Sequence, residues 1–188
     1  MIDYSELEDI SRARQESSGC HGYDHTERVI NLCEAIGIEC NADMVVLIPA
    51  AILHDIGRPN DDHASHSAVQ AKEILMDKVW DVDTINSIVH AIKVHSFSVG
   101  GEALTLEARI LSDADKLDAI GAVGVYRAAQ YGVEHGRPIE DFIGHFHEKL
   151  LNLKDILYTE MAKDMAAKRH DFMLSYLEQI GRELKGLV

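Results

Sequence analysis

The stretch Met44-Val45-Val46-Leu47-Ile48-Pro49-Ala50-Ala51-Ile52-Leu53-His54-Asp55-Ile56-Gly57-Arg58-Pro59 decides how this chain folds. From Met44 to Leu53 it carries no polar side chain, and a helix that is apolar on every side is one enclosed by other elements. The run is about half the length needed to cross a bilayer. It therefore reads as a buried central helix, from about Ala42 to Ile56, stopped by Gly57 and Pro59. His54 and Asp55 fall in its last turn. Two ionisable side chains ending so apolar a helix need partners, because an unpaired buried charge costs several kcal/mol. They could share a cation where the helix unwinds, which the negative end of the helix dipole also favours. The alternative is that His54 donates to a carbonyl and Asp55 caps a neighbouring helix.

Outward from this centre, apolar residues recur at helical spacing almost throughout, and alternating β-branched runs bounded by turns are missing. The expectation is an all-α fold. A first helix covers roughly Tyr4 to Glu16 and is followed by the loop SSGCHGYD; Asp24 and Glu27 form a capping-box pattern ahead of Val29, Ile30, Cys33 and Ile36. His25 then sits in that helix's first turn. HASHSAVQAKEILMD is capped near Asp61 or Asp62, DVDTINSIVHAIKVHS by Asp81 or Asp83, and SVGGEAL reads as a flexible loop. Helices follow over Thr105 to Leu111, Asp113 to Tyr131, Pro138 to Leu157 and Thr159 to Leu184. No repeat, low-complexity tract or linker interrupts the chain, so residues 1–188 read as one domain, with the chemistry-bearing core at about 20–135 and the helices of 138–184 as scaffold.

The composition sets limits. The 188 residues include 46% hydrophobic and 27% charged ones, enough for a core and unlike a disordered chain. A net charge of −14 opposes extended nucleic-acid binding. No membrane span or basic-then-apolar leader is evident, and Cys20, Cys33 and Cys40 make neither an even framework nor a CxxC pair. A cytoplasmic protein with reduced thiols is expected. The unusual count is 11 histidines.

A third polar feature joins His54-Asp55 and His25: the run Asp113-Ala114-Asp115-Lys116-Leu117-Asp118, flanked by Ile110, Leu111, Ile120 and Val123. Asp115 and Asp118 lie on one helix face, Asp113 points elsewhere, and crowded carboxylates repel unless a cation or donors relieve them. One or two imidazoles with two carboxylates form a mixed N/O set suited to Mn, Fe, Co, Ni or Zn more than to Mg or Ca. Such an ion acidifies a bound water and polarises a phosphoryl oxygen, so the donor set points to metal-assisted hydrolysis.

At HGYDHTERV, AAILHDIGRP, HASHSAVQAKEIL, HAIKVHSFS and SDADKLDAIGAVGVYRAAQYG the sequence resembles the HD-domain superfamily of metal-dependent phosphohydrolases, in order over about residues 20–131. The resemblance is strongest to small stand-alone members described as predicted HD hydrolases. It implies a helical bundle with a metal site at its centre and His25, His54, Asp55 and Asp115 as ligands. Asp115 matches the aspartate of the family's A-D-x-L segment, leaving Asp118 as a substrate-facing or supporting carboxylate. Some members hold a second metal through extra histidines, and His63, His66, His90 and His95 are available here for a second ion or a phosphate. Guanosine tetraphosphate hydrolases and nucleotidases of the family carry an acidic residue a turn after the HD pair, where this chain has Arg58 and Pro59, which leaves Asp61 or Asp62 as the substitutes for their catalytic acid.

The expected activity is hydrolysis of a small phosphate ester, a nucleotide or a related phosphomonoester or diester. One divalent transition-metal ion is expected, with a second left open. Asp55 would orient or deprotonate the attacking water, and Asp118 or a pocket histidine would protonate the leaving oxygen. Arg28, one turn from His25, is the foremost phosphate contact, with an ion pair to Glu27, Asp24 or one of the pocket aspartates as its alternative role; Arg58, Lys93 and Arg127 are further cations. Two competing readings are a non-catalytic metal- or nucleotide-binding signalling domain and an HD-type di-iron oxygenase. The last helix, with Lys163, Lys168, Arg169 and Glu178 on its polar face, suits ordinary packing or a homodimer seam.

Overall fold

The computed structural model describes residues 3–16, 22–58, 62–78, 80–96 and 101–187. Among them there is no strand, and the chain divides into two compact units, Met1–Asp115 and Lys116–Val188. The fold is all-α.

The first unit is built around α3 (Met44–Leu53), against which α1 (Ser5–Arg14), α2 (Tyr23–Glu39), α4 (His63–Met76) and α5 (Val82–Val94) pack. Leu47, Ala50, Ala51, Ile52 and Leu53 have no solvent exposure, as the all-round apolar sequence requires. Asp43 caps α3 by accepting from the Val45 N–H. At the other end, carbonyls left over by the helix are taken by side chains. Ser11 Oγ donates to the Ile52 carbonyl at 2.7 Å, and His54 Nδ1 lies 2.7 Å from that of Ala51. This capture ends α3 at Leu53, earlier than expected, and places His54 and Asp55 on a turn. Asp62 and Asp81 are the caps of α4 and α5; Asp61 and Pro59 lie outside the described residues.

The Asp24 cap is corrected. Helix α2 already begins at Tyr23, with Gly22 at the cap position, and Asp24 instead pairs with Arg28 four residues on, at 2.8 Å. Residues 17–21 of the preceding loop, Cys20 among them, and 97–100 of the segment around SVGGEAL lie outside the described residues. Helix α6 (Leu106–Asp118) runs unbroken through Ser112, so the expected division near there is also corrected. The Ser112 hydroxyl donates to the His95 carbonyl at 3.0 Å.

In the second unit α7 (Gly121–Glu134) and a 3₁₀ segment (Leu150–Ile156) pack on α9 (Glu160–Glu183), beside α8 (Ile139–Glu148). The break before α7 falls at Gly121, whose φ of 79° suits glycine and whose absent Cβ would stand 2.8 Å from Arg169 Cγ. The single helix expected over 138–157 is two elements, because Lys149 leaves helical geometry and Asn152 Nδ2 takes the His147 and Glu148 carbonyls. Phe146 is fully buried at this corner, with its ring against those of Phe142 and Tyr176.

Candidate metal centre

Five helix ends of the first unit carry polar side chains to one buried place. His25 is in the first turn of α2, His54 and Asp55 follow α3, His63 opens α4, His95 caps the end of α5, and Asp115 lies near the end of α6. His25 Nε2 is 3.3 Å from His54 Nε2, 3.4 Å from Asp115 Oδ1 and 3.7 Å from Asp55 Oδ2. Asp55 Oδ1 faces the other way, 3.6 Å from His63 Nε2 and 4.0 Å from His95 Nε2. Two donor groups emerge, His25 with His54 and Asp115, and His54 with Asp55 and His95, in each of which the ligand atoms lie within 4.8 Å of one another.

The protonation of these groups suits a cation. A ring nitrogen facing a carbonyl must donate, so Nδ1 of His54, toward Ala51, and Nδ1 of His95, 2.6 Å from the Ile92 carbonyl, carry the hydrogens. Their Nε2 atoms are left with lone pairs turned toward carboxylates, an arrangement that repels unless a positive charge lies between. Burial pushes the His54 imidazole below its ordinary pKa, against the pull of Asp55, and takes His95 down to about 4. Burial acts to raise Asp55, but His54, Arg58 and His25 outweigh it and hold the carboxyl below the usual carboxylate range. Asp115 is likewise held well below that range, its burial overcome by the hydrogen bond and charge of His25 and by His95. At neutral pH the site thus offers His54, His63 and His95 as neutral imidazoles beside ionised carboxylates, the forms that ligate metals. Asp55 Oδ1 is buried with no hydrogen-bond partner, so the residues present fit a cation that this acceptor would ligate.

Of the sequence candidates, His25, His54, Asp55, Asp115, His63 and His95 are brought together. His66 is not: it is exposed and its Nδ1 bonds the Asp62 carbonyl of its own helix. Nor is His90, whose Nε2 accepts from the Leu104 N–H. Arg28 is held by Asp24, and Asp118, in the second unit, accepts from Arg127 at 2.9 Å. The residue underweighted by sequence is Arg58, whose Nε donates to Asp55 Oδ2 at 2.7 Å. Its spacing of three from Asp55 was the available signal. For His95 the signal was a histidine closing an apolar helix, as His54 does.

Comparison with known proteins agrees with this architecture. The HD domain model matches residues 22–120. The chain belongs to the HD domain family. HD domains bind divalent metals, and the His/Asp groups described above are donors of the kind they use. A Bacillus subtilis relative, the uncharacterized protein YpgQ, is 33% identical over 183 residues, 92% of this chain and 88% of its own. The crystal structure of Bacillus subtilis YpgQ in complex with ADP has a TM-score of 0.83 at 29% identity, covering 98% of this chain and 99% of that one. An HD-superfamily hydrolase from Bacillus thuringiensis has a TM-score of 0.78 at 26% identity, covering 96% and 97%. The fold is that of the HD-superfamily hydrolases. Among the described residues no helix is long and apolar enough to cross a membrane.

Proposed function

We propose that this HD-domain protein is a metal-dependent phosphohydrolase acting on a small phosphate ester of the nucleotide type. The observation that carries the reading is the buried convergence of neutral imidazoles and ionised carboxylates on Asp55, one of whose oxygens has no partner. His25, His54, Asp55 and Asp115 would hold a divalent transition-metal ion, and the Asp55 Oδ1 face with His63 and His95 offers room for a second ion or a phosphate oxygen. The ion, when bound, makes water nucleophilic at neutral pH and draws electrons from a phosphoryl oxygen.

The protein's own groups supply the rest. Asp55 Oδ1 accepts from the attacking water and aims it at phosphorus. His63 has 12% of its side chain exposed and faces Asp55, so it is better placed than Asp118, engaged with Arg127, to give a proton to the leaving oxygen. A nucleotide substrate is supported by the ADP held by the similar Bacillus subtilis protein.

Elemental analysis of the purified protein beside a His54→Ala/Asp55→Ala variant, followed by a metal-supplemented screen of phosphate esters, tests the reading. The expected result is one or two transition-metal ions per chain, lost in the variant together with phosphate release. Two irons with oxygen-dependent turnover and no phosphatase activity would replace it with the di-iron oxygenase. A protein that takes up no metal even after reconstitution would overturn it in favour of a binding domain.

A further inference from the structure

Arg58 stands at the rim of the centre in an unusual attitude. An arginine that serves only to neutralise a carboxylate does so best with two parallel N–H groups. Arg58 instead gives Asp55 Oδ2 a single bond from Nε, at 2.7 Å, and its Nη2 lies 3.5 Å from His63 Nε2, at the limit of a hydrogen bond. No hydrogen bond from Nη1 is present among the described residues, and 28% of the side chain is exposed against 1% for Asp55. The guanidinium thus has its Nε edge fixed on a buried carboxylate while its Nη groups belong to a side chain that is partly exposed.

The surroundings say what those Nη groups are for. The chain carries a net charge of −14, so an anion approaching this centre needs a local cation. Arg28 is committed to Asp24 at 2.8 Å, and Arg127 to Asp118 at 2.9 Å. A planar guanidinium with free donors, one turn beyond the unpartnered oxygen of Asp55, matches the spread of oxygens on a phosphate.

We propose that Arg58 holds a phosphate oxygen of the anionic ligand with its Nη groups while its Nε fixes Asp55, so that Oδ1 of that carboxylate keeps facing His63 and His95. The inference rests on the reading of this centre as a phosphate site. Removing the guanidinium removes the anion contact, while at Asp55 a lost hydrogen bond is offset by the loss of a competing positive charge, so metal binding changes much less than anion binding. A purely structural arginine would produce the reverse.

The test is calorimetry on full-length wild type, Arg58→Gln and Arg58→Lys, first with Mn²⁺ alone and then, on Mn²⁺-saturated protein, with inorganic pyrophosphate and with ADP. The expected result for Arg58→Gln is Mn²⁺ affinity within a few-fold of wild type and affinity for both anions lower by roughly ten- to hundredfold, the worth of one charge-assisted hydrogen bond. Arg58→Lys recovers part of the pyrophosphate affinity, since one ammonium cannot serve Asp55 and the phosphate together. In turnover with a cleaved nucleotide, KM rises by a larger factor than kcat falls.

Unchanged anion affinity in Arg58→Gln, loss of Mn²⁺ binding and melting temperature with no further effect on anions, or a wild type that binds neither anion would each overturn the proposal. A wild type that binds pyrophosphate through Arg58 but cleaves no ester would refute the hydrolase reading and leave this one standing. Cleavage with a KM indifferent to Arg58 would do the opposite.

Discussion

Gly57 is where the turn carrying His54 and Asp55 presses on α4, and Gly57→Ala tests whether that contact is as close as described. A Cβ at this position would stand 2.5 Å from the Ser67 nitrogen, 2.8 Å from the His66 carbonyl carbon and 2.9 Å from the His63 carbonyl oxygen. All three are backbone atoms of a helix, so no side chain can rotate away and α4 itself must shift. The Gly57 N–H also donates to Ser67 Oγ at 2.9 Å, a bond that the shift would stretch. Overpacking of this kind costs about 1–3 kcal/mol, and loss of a buried hydrogen bond about 1 kcal/mol more. A total of about 2–4 kcal/mol lowers the melting temperature of a chain this size by roughly 4–16 °C. Because His63 moves with α4 and faces Asp55, Mn²⁺ affinity should fall roughly tenfold as well. Gly132→Ala is the control: nothing lies within 4 Å of its Cβ position in α7, and alanine there should stabilise by about 0.5–1 kcal/mol. Differential scanning calorimetry of metal-free and Mn²⁺-loaded samples reads both. A Gly57→Ala protein as stable as wild type, or one shifted in the same direction as Gly132→Ala, would show that the close approach is not there.

Two further outcomes follow from buried polar groups. In EDTA, stability should fall as the pH drops from about 6.5 toward 4, because the unfolded chain takes up a proton on His95 that the folded one refuses until about 4. The loss reaches about 3 kcal/mol from this residue, with His54 and His63 acting in the same direction, whereas the depressed Asp55 and Asp115 withdraw their contributions only at lower pH. Urea unfolding at pH 7, 6 and 5 checks it, and a flat or rising trend would contradict it. Ser11→Ala leaves the buried Ile52 carbonyl without its 2.7 Å donor and should cost about 1–2 kcal/mol in the same assay, with Ser11→Thr recovering part.

The sequence by itself determined the all-α class, the central place of Met44–Leu53 and the presence of a metal-suited cluster. These depend on periodicity, on the absence of any polar break in one helix, and on residue chemistry, all of which are local. It also identified Asp62 and Asp81 as cap candidates, since capping is a short-range hydrogen bond. Helix ends set by competition were less legible. Asp24 had the pattern of a cap, but Gly22 starts α2 earlier and Arg28 claims the carboxylate. Likewise Ser11, distant in sequence, takes a carbonyl at the end of α3.

Which of His63, His66, His90 and His95 join His25 and His54 was beyond the sequence. His63 and His66 share a helix, as do His90 and the cap residue His95, yet one of each pair turns inward. The choice depends on where α4 and α5 end relative to the turn after α3, a matter of packing between segments far apart in the chain. Arg58 was visible as a cation three residues from Asp55, but that its Nε meets the carboxylate while Nη2 reaches His63 depends on how the turn at Gly57 packs against α4. Local sequence fixes which groups are available; tertiary packing decides which lone pairs face one another, because a distance between helix ends is a property of the whole core.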